Sequence, residues 1–231
     1  MKRIVLEFTR TSLRVLAVEG AAGRLRGRKY VVQPGVGLPD AESLRRAMTG
    51  VSMAGAQVIG VLPREQVITR LIKLPTTKTD ELAQMIRLSG KVQLPYPAEQ
   101  AMIDWYVIEQ QGGTSLVQLV ACHREQLNRA LNVLRQTGVE PTSMTPNSWG
   151  ILAWYQHLGR LAEVSEPVMI LNGDADRTDL VLVRGGRVMF SRSLSHGFGG
   201  SQAEAEVLEA LTQELERSFM NLRKELPGVE P

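Results

Sequence analysis

The stretch RIVLEFTRTSLRVLAVEG (Arg3–Gly20) alternates apolar and polar residues on either side of a polar turn at Thr9–Ser12. A period of two sends successive side chains to opposite faces, so the stretch reads as two strands of a hairpin. After the turn GAAGRL, the segment GRKYVVQP adds a third strand, and such short links imply an antiparallel meander. The same order returns late in the chain. PVMILNGDADRTDLVLVRGGRVMFSRSLSHG (Pro167–Gly197) reads as strand, polar turn, strand, Gly185-Gly186 hairpin and strand. Two modules that open alike constitute a structural repeat, although their residue identity is weak.

Between the meanders, DAESLRRAMTG predicts a helix with Asp40 as N-cap, Leu44 and Met48 at helical spacing and Gly50 as its stop. AQVIGVLP and VITRLIKLP follow as strands closed by Pro63 and Pro75. KTDELAQMIRLSGKVQ aligns Leu82, Met85, Ile86 and Val92 on one stripe and reads as an amphipathic helix. A rigid corner, LPYP, precedes the strand MIDWYVIEQQ, a Gly112-Gly113 turn and the strand SLVQLVACH. REQLNRALNVLRQTG is a second clear helix, with Leu127, Leu131 and Leu134 on one side and Gly138 at its end. Helix, strand, strand, helix makes a two-layer unit over residues 76–141. PNSWGILAWYQHLGRL predicts a further helix capped by Asn147 or Ser148, and AEAEVLEALTQELERSFMNLRKEL closes the chain as a helix.

With 231 residues, 43% hydrophobic and 22% charged, the chain can bury a sizeable core. A formal charge of +3 gives no argument for nucleic acid, and the cations Arg24, Arg26, Arg28 and Lys29 carry no interleaved stacking aromatics. Cys122 is the single cysteine, which excludes a disulfide framework and points to a reducing compartment. No stretch reaches the roughly 18 apolar residues of a membrane span. NGDADRTD imitates the start of a calcium loop but holds Arg177 where glycine is required. SHGFGG lacks the lysine and hydroxyl of a phosphate loop and reads as a strand-to-helix link. His123, His157 and His196 lack metal-ligand spacing, and no hydrolase or metalloprotease signature is present.

The duplicated meander, one copy interrupted by a small α+β insert, resembles the actin/RNase H-like fold. The insert is similar to that of the PilM family of type IV pilus assembly proteins and its relative GspL of type II secretion. The resemblance rests on VITRLIKLP, LPYPAEQAMID with Glu99 and Asp104, LVQLVACHREQLNRALNVLRQTGVEP and DLVLVRGGRVMFSRSLSHG. It implies an α/β chain of two lobes: residues 1–75 and 142–163 as the first lobe, 76–141 as the insert, and 164–231 as an abbreviated second lobe.

Members of that fold bind ATP with Mg²⁺ between the lobes, using an Asp-x-Gly turn whose backbone wraps phosphate while its carboxylate organises the metal. Here Glu7 stands at the aspartate position and Thr9 at the glycine, where a β-branched residue crowds a phosphate. In the second turn the corresponding positions hold Asn172 and Asp174, and the family's Gly-Gly becomes Gly197-Phe198. These departures lead to the expectation of no cofactor, no metal and no enzymatic activity. The chain ends at ELPGVEP, before any glycine-rich adenosine strand. The expectation is therefore a cytoplasmic part of something longer, continued either by a membrane helix as in GspL or by a glycine-rich strand as in PilM.

Pro95 and Pro97 stiffen the corner before any partner arrives. By resemblance, a groove between the corner, the insert helix and the VITRLIKLP strand would take the N-terminal segment of a PilN-like membrane protein, partly as an added strand. Leu94, Tyr96 and Met85 are its apolar wall candidates and Arg70 and Arg87 its polar rim; packing of Tyr96 and Leu94 into the insert's own core is the competing reading. The implied function is a scaffold at the inner face of the inner membrane, which would also recruit an assembly ATPase through the second lobe. The alternative is an ATP-binding switch of the PilM kind.

Overall fold

A computed structural model describes residues 1–21, 24–35, 38–158, 166–200 and 204–225; nothing is described for the side chains of residues 90–93 and 225. The chain runs β1 (Lys2–Phe8), β2 (Ser12–Ala21), β3 (Arg24–Pro34), α1 (Ala41–Met48), β4 (Ala56–Leu62) and β5 (Val67–Leu74). It continues with α2 (Thr79–Gln93), β6 (Ala101–Gln111), β7 (Thr114–His123), α3 (Arg124–Gln136) and β8 (Ser143–Pro146). Last come α4 (Asn147–His157), β9 (Val168–Gly173), β10 (Thr178–Arg184), β11 (Arg187–Leu194) and α5 (Glu204–Glu225). No helix among the described residues is long and apolar enough to cross a membrane.

Two compact units emerge, residues 1–66 with 125–147, and residues 67–124 with 148–231. In the first, the strands lie in the order β3-β2-β1-β4-β8, antiparallel through the meander and parallel at β1–β4 and β4–β8. Alternation explains the core. Ile4, Leu6 and Phe8 of β1 and Leu13, Val15 and Ala17 of β2 are buried on one face, against Leu44 and Ala47 of α1 and Leu134 of α3. Asp40 caps α1 by accepting from the Ser43 amide at 2.7 Å, a bond that lowers the pKa of its carboxyl.

The second unit is built on two three-stranded sheets. In the order β5-β7-β6, antiparallel pairing runs from Val67↔Cys122 to Leu74↔Ser115 and from Ala101↔His123 to Gln111↔Thr114. Ile72, Leu74, Val117, Leu119 and Ala121 face α2 through Leu82 and Ile86. The opposite face, with Leu71, Leu116 and Ile108, packs on Leu180, Leu182, Met189 and Phe190 of the sheet β9-β10-β11. Leu152 of α4 covers that sheet's other face at Val181, Val183 and Val188. Polar bonds tie the two sheets. Tyr106 donates its hydroxyl to the Val188 carbonyl at 2.8 Å, and its ring meets Trp149 edge-on at 5.8 Å. Gln118, with its amide nitrogen turned to β11, donates to the Val188 and Met189 carbonyls at 3.3 and 3.2 Å. Arg187 donates to the Val107 carbonyl.

The units divide the chain elsewhere than the sequence boundaries at 75/76 and 141/142. β5 hydrogen-bonds to β7 and so shares the insert's sheet, while α3 packs its Leu134 on the first sheet. Periodicity reveals which face of an element is apolar but not which neighbour covers it. The boundary at 163/164 and residues 226–231 of the terminus lie outside the described residues, as does the Val92 side chain.

Burial pushes the Tyr106 hydroxyl well above the usual phenol range, with Arg187 pulling weakly the other way. A raised folded-state pKa makes the neutral phenol stabilising. That contribution is complete below the ordinary tyrosine pKa of about 10 and is lost as pH rises from there toward the folded value. Tyr106→Phe is expected to cost about 1 kcal/mol at neutral pH. It should also remove part of the alkaline decline, as read by urea denaturation in a series of increasingly basic buffers.

Candidate functional site

The first polar turn satisfies itself. Thr9 Oγ1 accepts from the Ser12 amide at 2.9 Å and the Thr11 amide at 3.3 Å, and it donates to the Ser12 carbonyl at 3.0 Å. The Thr9 amide donates to the same carbonyl at 2.9 Å. Backbone amides that could cradle an anion are thus engaged by a hydroxyl of their own turn. No non-glycine residue among those described has a positive φ, so Thr9 is accommodated without strain. Glu7 lies directly opposite Arg14 and accepts its guanidinium at 3.2 Å, on the sheet face away from the core.

The second turn is closed differently. The Asp174 amide donates to the Arg177 carbonyl at 2.8 Å, and the Asp174 carboxylate accepts from the Ala175 amide at 2.8 Å. The loop after β11 then lies on the turn, with Phe198 N donating to Asp174 O and Gly199 N to Ala175 O, both at 2.8 Å. The approach requires glycine. A Cβ on Gly197 would sit 2.4 Å from the Arg177 nitrogen, and one on Gly199 2.6 Å from the Ala175 Cβ. Asn172, exposed on β9, pairs in register with Asp179. Among the described residues no group of three or more His, Cys, Asp or Glu side chains is placed to hold a metal.

Around the proline corner, α2 ends at Leu94 in an extended conformation, and a single 3-10 turn over Ala98–Gln100 leads into β6. The corner is held from the end of β7. Tyr96 meets His123 edge-on at 5.1 Å, and His123 bonds Gln100 at 3.2 Å. The Arg124 guanidinium donates to the carbonyls of Glu99 (3.3 Å) and Ala101 (2.9 Å). Burial raises the pKa of the Tyr96 hydroxyl, with Cys122 beside it adding to the shift.

Of the five candidates for partner contact, Met85 and Leu94 each pack, half-buried, against the cluster beneath α2. Arg70 shares the α2-facing side of β5 with Ile68 and Ile72, in register with Leu119 and then Trp105. Tyr96 instead packs on His123, and Arg87 is exposed on α2. β5 is an edge strand, with β7 its one ladder partner among the described residues.

Some features escaped the sequence. Leu88 is exposed on α2, and Arg124 anchors the corner. In the first unit a pocket of about 220 Å³ has an apolar floor of Phe8, Leu62 and Ala130 and a rim of Thr9, Gln66 and Gln126. Phe8 and Leu62 read simply as strand residues, and nothing in their spacing marks a cavity.

The family model described as type IV pilus assembly protein PilM matches residues 39–227. Among solved structures, a PilM–PilN type IV pilus biogenesis complex matches with a TM-score of 0.82 at 21% identity, over 98% of this chain and 79% of that chain. The cytoplasmic domain of EpsL, an inner-membrane component of the Vibrio cholerae type II secretion system, gives 0.58 at 11% identity over 84% and 71%. A Bacteroides thetaiotaomicron protein with an actin-like ATPase fold and unknown function gives 0.52 at 9% identity over 97% and 88%. These likenesses show an actin-like fold.

The geometry separates core from surface among the five candidates. Leu94→Ala is expected to lower the unfolding free energy by about 1–2 kcal/mol, less than a fully buried leucine. Arg87→Ala should stay within about 0.5 kcal/mol of the unsubstituted chain. Denaturant midpoints measured side by side check both.

Proposed function

The chain belongs to the type IV pilus assembly protein PilM family, and from that premise we propose that it is a non-enzymatic scaffold of a pilus or secretion assembly platform. It works at the cytoplasmic face of the inner membrane. Its task is to capture an extended N-terminal segment of a PilN-like membrane protein, and its second lobe offers a surface for an assembly ATPase. The observation that carries this reading is the position of β5. Both faces of that strand are packed, Ile72 toward α2 and Leu71 toward the second sheet, while its outer backbone edge has no strand partner among the described residues. Such an edge accepts a peptide as an added strand, with main-chain hydrogen bonds giving affinity. Arg70 at the rim and the stiff corner at Pro95–Pro97 supply polarity and preorganisation.

The absence of an ATP-driven step is proposed from the two turns. The first spends its amides on Thr9 Oγ1, and the second is covered by the Gly197–Gly199 loop. An anion would have to displace those bonds before gaining its own.

Fluorescence anisotropy with a labelled peptide from the cytoplasmic N-terminus of the PilN-like protein tests the reading. Binding is expected in the micromolar range, with Arg70→Glu weakening it about tenfold, roughly 1.4 kcal/mol. Tyr96→Ala should weaken it less, through loosening of the corner. In parallel, ATP with Mg²⁺ at millimolar concentration should leave the melting curve unchanged. A bound nucleotide at a hundred times its Kd would stabilise by about 2.7 kcal/mol. Absence of peptide binding, or a nucleotide-dependent rise in Tm, sinks the corresponding half of the proposal.

A further inference from the structure

The two meanders share a strand order but differ by one neighbour. In the first unit β1 lies between β2, antiparallel, and β4, parallel. The later meander repeats the order as β11-β10-β9, and α5 follows β11 as α1 follows β3. β9 therefore holds the place of β1, yet β10 is its one ladder partner among the described residues. Burial records the difference. Ile4 of β1 is fully buried, with Val58 of β4 in register beside it. On β9, Leu171 is 53% exposed although it pairs with the fully buried Leu180. Gly173 stands on the same side of β9 as Leu171, and a Cβ there would lie 2.6 Å from the Phe198 ring. Phe198, itself 56% exposed, continues the apolar border that Leu171 begins. Elsewhere the faces of β9 are packed, Met169 on the Leu180–Leu182 cluster and Ile170 on Val181 and Val183.

The sequence of β9 leaves its outer edge unguarded. The other edge strands carry charge or proline: β3 has four cations and Pro34, β8 ends in Pro146, and β5 holds Arg70 and Lys73. β6 holds Asp104 and Glu109, and β11 two arginines. Such devices keep an edge from indiscriminate pairing. β9, Val-Met-Ile-Leu-Asn-Gly, has neither charge nor proline, and its ladder with β10 runs without a bulge. Every other described strand already has its place in a sheet. Residues 226–231 carry Pro227 and Pro231, which a central ladder excludes.

We infer that the outer edge of β9 is a docking site for an extended, alternately apolar segment of a partner protein. The segment adds to the sheet as a parallel strand, in the place that β4 takes beside β1. Main-chain bonds supply affinity, and an apolar side chain set beside Leu171 and Phe198 supplies selectivity, as Val58 does beside Ile4. A second copy of the chain fits poorly. Two-fold pairing of β9 with itself would be antiparallel and would bring Glu166 and Pro167 of one copy beside Asp174 and Ala175 of the other, carboxylate near carboxylate. The site is separate from the peptide site on β5.

A fluorescent, lysine-flanked peptide carrying the β4 sequence Ala56–Leu62 is the probe, titrated into the full chain. Hydrogen exchange read by mass spectrometry should show β9 less protected than β10 in the free chain, and slowed across Val168–Gly173 at saturating peptide. Leu171→Lys should weaken binding about tenfold in anisotropy, with an unchanged melting curve, while Leu171→Val retains it. Arg70→Glu should leave this binding unchanged. Direction is read with Val168→Cys in oxidised glutathione, where Cys122 is buried. A peptide with cysteine at its N-terminus should form the mixed disulfide, and one with cysteine at its C-terminus should not. The inference is overturned by equal protection of β9 and β10 in the free chain, by absence of peptide binding, or by the reverse disulfide pattern. Binding that ignores Leu171→Lys, or that Arg70→Glu abolishes, overturns it too. A sedimenting dimer lost in Leu171→Lys makes the edge a self-interface and overturns it equally.

Discussion

The second unit depends on two sheets lying back to back. Apolar side chains of β5, β6 and β7 meet those of β10 and β11, and polar groups within that layer find partners across it: Tyr106 on Val188, Gln118 on Val188 and Met189. A buried amide or hydroxyl left without a partner would cost more than its hydrogen bond contributes, so these bonds specify how the sheets align as well as holding them. The insert's sheet is therefore sandwiched between α2 and a second sheet, and is no loose appendage. From that follows the character of β5. A strand packed on both faces presents chiefly its backbone to a newcomer, and a partner read through main-chain bonds needs extended shape more than a particular sequence.

Much of this fold is legible in the chain. The hairpin turns at Gly112-Gly113 and Gly185-Gly186 take the positive φ that their sequence demands, and Gly138 ends α3 the same way. Asp40 caps where it should. The stripe of α2 is real, with Leu82 and Ile86 buried; in α3 Leu134 is buried together with Ala130, while Leu127 and Leu131 are only half-buried. What is not legible is allegiance. VITRLIKLP alternates as an edge strand of either sheet would, and α3 would look the same covering the insert or the first sheet. Partner choice is a long-range property decided by which faces remain uncovered once all elements are placed.

The candidate site divides in the same manner. Thr9 and Asp174 are visible as departures from a phosphate-wrapping turn, and steric crowding is the objection a sequence can raise. The geometry shows a different arrangement. Thr9 sits unstrained and fills the turn chemically, its hydroxyl taking the amides an anion would need. The corner residues Leu94 and Tyr96 show that a rigid, aromatic segment can be anchored to its own neighbours while still shaping a surface.

The two closed turns differ in how reversible their closure is over evolutionary time. In the first, one hydroxyl of one side chain does the closing, and a single codon change at Thr9 would bare the Thr11 and Ser12 amides. In the second, backbone lies on backbone with room for nothing larger than hydrogen at Gly197 and Gly199, so reopening requires a whole segment to be rebuilt. Drift could visit and leave the first state repeatedly, whereas the second acts as a ratchet.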